Sequence, residues 1–489
     1  MQDSNALQNW ITRLDRRAYG ALVGVIIGLV GGGVALLLAI AGPVITFGAI
    51  LGLLAGLYVL SNTSAALYGV IFVATLLPFG TLPFKIAITP TLIDVAMGAF
   101  LIVYLFQWMT GRRQQIRLTP VHALIVLYML WLILAFALGL RFAMPKSADI
   151  RQFAETLLSI SMVFILVDLL REPQALRRLV QVIMIAITLQ AVIALILYVL
   201  PDDTAERTLI RLARIGYPNG GVIRYVEDNP ALSERAIGTW VDPNALGGIL
   251  AVSAAMIAPQ VFARKPIIRY RWLTFGVLGL VTLALILTFS RASMLAFGIG
   301  VCFIATFKGY RRFIPLIILG ACLLFLLPQT RSYIERFGQA FTGSDLATQM
   351  RLGEYTDSFK LISRYPVFGV GFTGTPEINL YTDVASMYLI MANQIGLVGV
   401  GIYALAIAAI FVYGWRARRY SVTIPELEAI HLGYHAALLT ALINATADLY
   451  FFRLDFQASI TIFWLVVALA LASSRLTFDV HESTVAKSA

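Results

Sequence analysis

Fourteen apolar runs, each close to the length that crosses a lipid bilayer as a helix, leave this chain few folds to choose from. They fall near 19–41, 44–60, 65–80, 91–109, 120–140, 152–170, 179–200, 245–262, 272–289, 291–307, 313–328, 386–413, 430–447 and 458–474. A hydrocarbon core of about 30 Å takes roughly 20 apolar residues as a helix. Neither open sheet edges nor irregular chain can satisfy their backbone in lipid. The expected fold is an all-α polytopic integral membrane protein of about 12–14 transmembrane helices. Composition agrees, with 59% hydrophobic residues, 13% charged residues and a mean hydropathy of +0.84. Gly31, Gly32 and Gly33 interrupt the first run, and Pro78, Pro83 and Pro90 make the segment after the third a kinked or re-entrant connection.

Charge orients the chain. With the N-terminus inside, more than half of the 37 lysines and arginines fall in inner segments, among them Arg13, Arg112, Arg171, Arg264, Arg311 and Arg416. This is the positive-inside pattern. The net charge of +11 is therefore a mark of topology, and its scatter between spans gives no footprint for nucleic acid. Both termini are expected in the cytoplasm. Arg13, Arg16 and Arg17 precede the first apolar run without a small-residue cleavage site after it, so no removed signal peptide is read. Cys302 and Cys322 lie within apolar runs, as sheltered small hydrophobes, and form neither a disulfide framework nor a metal cluster.

The remaining basic residues point to function. Two long outer loops, 201–244 and 329–385, carry many of them, interleaved with Tyr217, Tyr225, Trp240, Tyr355 and Tyr365 and with acids such as Glu234, Glu354 and Asp357. Loops this long are functional or disordered, and the aromatic residues favour a folded outer cap. Surface ion pairs alone would account for most single arginines there. Arg291, in LTFSRASMLAF, is harder to explain, because it stands between two apolar runs on the side that does not attract arginine. Ser290 and Ser293 are placed to cap the helix that follows, so guanidinium and helix N-terminus together suit a phosphate. In GTWVDPNALGGIL, residues 238–250, Asp-Pro-Asn is a turn and cap signature with Asn244 as the expected cap.

Taken together these stretches resemble the core of the O-antigen ligase and polymerase superfamily. The resemblance rests on SRASMLAF at 290–297, Arg351-x-x-x-Tyr355, YPVFGVGF at 365–372 and MYLIMANQIGLVG at 387–399, with GTWVDPNALGG upstream, and covers about residues 235–410. It implies a GT-C-like glycosyltransferase on the outer face of the bacterial inner membrane. Such an enzyme moves a glycan from undecaprenyl diphosphate to an acceptor glycan or glycolipid, with no metal or other cofactor. Ligases of the family use lipid A core as acceptor, and polymerases use the next lipid-linked repeat. Arginines are implied to hold the diphosphate, for which Arg291 and Arg351 come first and Arg235 and Arg224 next. Tyr388, Gly369, Gly371 and Asn244 are the corresponding substrate-loop positions.

The sequence departs from the family at the base. Ligase-like members read His-Asn-x-Tyr-Leu where this chain has Ala385-Ser386-Met387-Tyr388-Leu389. Asp383 or Glu354 then becomes the expected base, with Asp357 and Asp448 as further carboxylates. The missing histidine favours a polymerase, or a ligase with another acceptor. The expected divisions are a cytoplasmic N-terminus (1–18), an N-terminal bundle (19–234) with the first long loop, a ligase-like core (235–410), C-terminal helices (411–474) and a cytoplasmic tail (475–489). The competing class is a transporter or flippase for an anionic lipid-linked glycan, which would place polar groups at mid-membrane in broken helices.

Overall fold

The computed structural model describes residues 62–82, 89–326, 346–375 and 384–488, with scattered positions between 15 and 59. The chain divides into two compact units, Met1–Ala65 and Ala66–Ala489. The first predicted span lies partly, and the second mostly, outside the described residues, and the second unit carries the site.

Its helices are α1 (Thr63–Leu76), α2 (Leu92–Met109), α3 (His122–Gly139), α4 (Ser147–Leu169), α5 (Pro173–Val199) and the short α6 (Asp202–Ile210). After a two-residue hairpin, β1 (Arg224–Tyr225) with β2 (Glu234–Arg235), come α7 (Pro243–Val261), α8 (Arg271–Leu287), α9 (Arg291–Ala305) and α10 (Phe313–Leu326). The chain ends with α11 (Leu346–Arg364), α12 (Met387–Ser421), α13 (Glu428–Asn444) and α14 (Gln457–Ser488). Among the described residues, α2 to α5, α7, α12 and α14 are long and apolar enough to cross a membrane, and α1, α8 and α9 are shorter apolar helices. The protein is an all-α, multi-pass membrane protein.

Two helices form the centre. In both α7 and α14, 94% of the most apolar stretch is buried inside the protein. The sequence of α7, with Gly247, Gly248 and a run of alanines, permits this. Where lipid is as apolar as leucine, small residues let helices approach and gain contact. A methyl group on Gly248 would meet the Asn444 side chain of α13 at 2.9 Å. By contrast, Leu105 and Phe106 of α2, Leu130 of α3 and Leu283 of α8 are exposed apolar side chains, as a lipid-facing surface requires. Cys302 and Cys322 are free thiols on this exposed, lipid-facing surface.

Polar contacts fix both ends of the bundle. Near the end of α4, the buried Asp168 carboxylate accepts hydrogen bonds from Arg113 Nη1 (2.7 Å), Arg171 Nη2 (2.7 Å), the Arg117 amide (3.0 Å) and Tyr104 (3.1 Å). These partners satisfy a carboxylate that burial alone would disfavour. At the start of α2, Thr91 and Asp94 form a reciprocal capping box. The proline-rich connection before it folds back on itself, with the Leu82 amide donating to Pro90 O (2.9 Å) and the Leu92 amide to Gly80 O (2.8 Å). Residues 83–88 of that connection lie outside the described residues.

The first long loop is ordered against this end. Trp240, fully buried, donates its indole N–H to Thr75 O of α1 (3.0 Å), and Thr239 Oγ1 bonds Gln190 Oε1 of α5 (2.9 Å). Leu209, Val222 and Ile237 bury against Leu197 to give it a small apolar cluster.

The long helix α12 is broken once. Gly396 has φ +69°, a left-handed conformation that ends the helical path. A break in a span frees backbone groups that lipid cannot satisfy, and here the YPVFGVGF stretch satisfies them. The Val370 amide donates to Asn393 O (2.8 Å), the Gly371 amide to Gln394 O (2.9 Å), and the Leu397 amide to Pro366 O (2.7 Å). Trp131 of α3 donates its indole N–H to Ile395 O (2.9 Å) and stacks on Phe368 at 5.1 Å.

Candidate active site

The candidate site is assembled where α7, α9, α12 and α13 end together. Asp242 caps α7, accepting the amides of Asn244 (2.8 Å) and Ala245 (2.9 Å), with Pro243 at the first helical position. The cap is therefore Asp242, and the expectation for Asn244 is corrected. The Asn244 side chain faces the hairpin, where its Oδ1 accepts Arg235 Nη2 at 2.6 Å. Arg235 Nε donates to Thr288 O in the α8–α9 turn (2.8 Å), and the Ala236 amide donates to Leu287 O (2.8 Å). Arg235 is thus tied to both flanking helices, so its guanidinium is preset.

Arg291 is the first residue of α9 and is half-buried. Ser290 occupies the cap position, but its hydroxyl bonds Ser293 Oγ (2.8 Å), which in turn donates to Asn444 Oδ1 of α13 (2.9 Å). These serines are buried and bridge helices, so the expected capping role is also corrected. The physical reason is competition: the Ser290 hydroxyl is taken up by Ser293, whose own hydroxyl is drawn to the Asn444 side-chain carbonyl of α13, so it is not left to bond the helix amides.

Helix α11 brings the second long loop to the same place. Arg351, Glu354, Tyr355 and Ser358 recur at the spacing of one helical face. Glu354 Oε2 accepts the Ala385 amide (3.0 Å), Tyr355 reaches Ala385 O at 3.4 Å, and Ser358 Oγ donates to Asn393 Oδ1 (3.0 Å). A carboxylate therefore stands at Ala385, and Arg351 lies one turn away on the same face.

Asp448, in the turn after α13, completes the cluster. Its backbone carbonyl accepts the Met387 amide at the head of α12 (2.9 Å), and its side chain is 4% exposed. Burial pushes the Asp448 carboxyl up to about 8. The charges of Arg351 and Arg235 oppose that rise, and Asp242 adds to it. Next to it, burial raises the Tyr450 phenol well above its usual range, with Asp242 and Asp448 acting in the same direction. Burial also lowers the Arg235 guanidinium pKa, against the pull of Asp242, Tyr450 and Asp448. An arginine remains charged through such a shift.

The structure thus brings together Arg235, Asn244, Arg351, Glu354 and Asp448, with Arg291 at the head of the adjoining α9. Other expected residues go elsewhere. Arg224 pairs with Arg235 across the hairpin but is exposed. Tyr388 donates its hydroxyl to Leu442 O (2.8 Å) and clamps α12 to α13. Gly369 and Gly371, with φ +68° and +80°, are buried in the seal over the break in α12, where only glycine lets the two backbones meet. In this structure the expected substrate-loop residues Gly369, Gly371 and Tyr388 contact backbone and helix. Asp383 lies outside the described residues. The sequence reading passed over Tyr450 and the partnership of Ser293 with Asn444. The only local signal for Tyr450 was its position two residues after Asp448, at the end of a span.

Together these residues form a basic and carboxylate-bearing cluster at one end of a membrane bundle. No curated protein matches the chain. Residues 276–400, from within α8 to just past the break in α12, match the family described as O-Antigen ligase. The matched stretch, about a quarter of the chain, contains Arg291, Arg351, Glu354 and Ala385, and it is in this stretch that the chain is similar to the O-antigen ligase family.

Proposed function

We propose that this protein transfers a glycan from undecaprenyl diphosphate to an acceptor sugar on the outer face of the bacterial inner membrane, as an O-antigen or exopolysaccharide polymerase or ligase. The observation that carries the proposal is the hydrogen bond from the Ala385 amide to Glu354 (3.0 Å). It puts a carboxylate where ligase-like members carry histidine, one helical turn from Arg351.

In the proposed reaction Glu354 takes the proton of the acceptor hydroxyl, and the hydroxyl oxygen attacks the anomeric carbon. The bond from that carbon to the diphosphate oxygen breaks, and undecaprenyl diphosphate leaves with the electron pair. The departing charge meets Arg351 and Arg291, with Arg235 held behind them by Thr288 and Asn244. Fixed cations aimed at the leaving group stabilise the transition state more than the ground state. Arginine suits this work because it is always charged and can bind phosphate in a bidentate manner. Asp448, buried beside them with its carboxyl pushed up to about 8, is mostly protonated near neutral pH and leaves the positive charge of Arg351 and Arg235 for the diphosphate.

The test is transfer by purified protein in nanodiscs from an undecaprenyl-diphosphate oligosaccharide, with products resolved by mass. A ladder of repeats without added core identifies a polymerase, and a single adduct that requires lipid A core identifies a ligase. Glu354→Gln is expected to slow transfer by about 100-fold, in the usual range for a lost general base. Wild-type transfer by that variant would remove Glu354 from the role. Movement of the donor between leaflets without any product would instead favour the transporter class. The break in α12 gives that class limited support, since it lies about 13 Å along the helix from Met387 at 1.5 Å per residue and its freed groups are bonded within the protein.

A further inference from the structure

A second concave site lies at the other end of α12. Arg416 lies 20 residues beyond the break at Gly396, an unbroken helical rise of about 30 Å that matches the hydrocarbon core, so the two sites face different leaflets. Here the start of α3, the last turns of α12 and the end of α14 enclose a groove of about 650 Å³, within the range of small-molecule sites.

The lining changes character along its length. Leu124, Ala409 and Val412 make one part apolar, and about 10 Å further along α12 Arg416 and Arg419 make it cationic. Between them stands an aromatic wall, with Tyr413 5.2 Å and Tyr420 5.8 Å from Phe478. His481 stacks behind Tyr420 at 4.1 Å. Trp415, 68% exposed, sits at the same level and marks the membrane interface.

The charges at this end are unevenly matched. Arg418 is paired with Glu428 (3.7 Å) and lies over the Phe307 ring. Asp479 is engaged by both Arg117 (3.2 Å) and Arg475 (3.4 Å). Glu482 is the other carboxylate acting on Tyr413. Arg416 and Arg419, both exposed, form no ion pair among the described residues.

We propose that this groove binds an anionic phospholipid of the surrounding leaflet, with its phosphate between Arg416 and Arg419 and an acyl chain along Leu124, Ala409 and Val412. The match is one of charge and of length together. A soluble phosphate would leave the apolar half empty, and a zwitterionic lipid would bring its own cation against two guanidinium groups. Basic pockets between membrane helices are suited to anionic headgroups for this reason.

The experiment is lipid titration of the full-length protein in detergent, read by native mass spectrometry, with phosphatidylglycerol, phosphatidylethanolamine and glycerol 3-phosphate as probes. Phosphatidylglycerol is expected to bind about tenfold or more tightly than phosphatidylethanolamine, and glycerol 3-phosphate is not expected to compete. The double variant Arg416→Ala/Arg419→Ala is expected to lose that preference. Ala409→Trp keeps both arginines and fills the apolar half, so it is expected to weaken binding even if the double variant proves unstable. Arg178→Ala, an exposed arginine at the start of α5, serves as control and is expected to bind as wild type. Unchanged binding by the double variant or by Ala409→Trp, equal binding of the two lipids, or effective competition by glycerol 3-phosphate would each overturn the proposal.

Discussion

The head of α12 and its break at Gly396 lie nine residues apart, and both gather polar groups at the edge of a membrane bundle. They resolve the same problem in opposite ways. At the break the groups are backbone, and the freed carbonyls of Asn393, Gln394 and Ile395 each receive an N–H from the Pro366–Gly371 loop or from Trp131. At the head the groups are charged side chains, and satisfaction is incomplete. Asp448 Oδ2 and Asn444 Nδ2 have no hydrogen-bond partner among the described residues, while Arg351 and Arg235 press their charges on Asp448 from outside. Unmade hydrogen bonds are costly in a buried place. At the break the freed backbone is sealed and, among the described residues, only the neutral side-chain atoms Asn393 Nδ2 and Gln394 Oε1 lack a partner, whereas the head gathers ionisable groups around such atoms and so has a place for a charged ligand.

Breaking the seal is expected to have the largest effect. Gly396→Ala places a methyl group against the Val367 carbonyl at a left-handed backbone position. Strain and backbone clash together are expected to cost about 3 kcal/mol or more. Such a loss would show as failure to recover monodisperse protein in detergent, whatever the substrate. Arg351→Ala tests the other member of the pair. It is expected to leave thermal stability nearly unchanged and to slow transfer by about 100- to 1,000-fold, equivalent to roughly 3–4 kcal/mol on the barrier. A stability loss in Arg351→Ala as large as in Gly396→Ala would erase the distinction between the two regions.

A third test uses pH. The Asp448 carboxyl is raised from its ordinary 3.8 to about 8 by burial. Between those values the folded protein holds a proton that the unfolded chain has released. Folding then binds a proton, and stability falls as pH rises from about 4 to about 8. Wild-type protein is expected to lose more thermal stability between pH 5.5 and pH 8.5 than Asp448→Asn, which has no proton to lose there. Equal slopes would show that the carboxyl is ionised throughout, and that the arginines outweigh burial.

The difference between the two regions also explains what could be read from the sequence. Hydropathy alone placed most spans, because each helix has to satisfy its own backbone and face lipid or core independently. The α11 stripe of Arg351, Glu354, Tyr355 and Ser358 follows helical periodicity and was similarly accessible. The partner of Glu354 was not, since Ala385 is 31 residues away and is brought back by the fold. The glycines of FGVG looked like a substrate loop because their signal, positive φ, is the same whether a ligand or a neighbouring helix comes close. Only the approach of Gly371 to Gly139 and of Gly369 to Asn393 separates those cases. Ser290 and Asn244 misled for a related reason: cap residues are recognised by local spacing, but Ser290 bonds the Ser293 hydroxyl, which reaches α13, and Asn244 accepts Arg235 from the hairpin.

The smallest expected effect separates two arginines that the sequence reading treated alike. Arg224 and Arg235 face each other in the register of the hairpin, an arrangement that like charges disfavour. Only Arg235 is offset by partners, Thr288 O and Asn244 Oδ1, and only it lies against the Asp448 cluster. Arg224 is exposed, where an ion pair with a ligand is weakened by water and salt. Arg224→Ala is therefore expected to change transfer by no more than about twofold, with the difference vanishing at high salt, within the 0–1 kcal/mol typical of exposed charges. Steady-state transfer at low and high ionic strength would measure it. A loss comparable to that of Arg351→Ala, persisting in salt, would mean that bound donor closes over the hairpin and buries Arg224. The diphosphate would then be held by both strands, and the boundary of the site would move outward from α12 to β1.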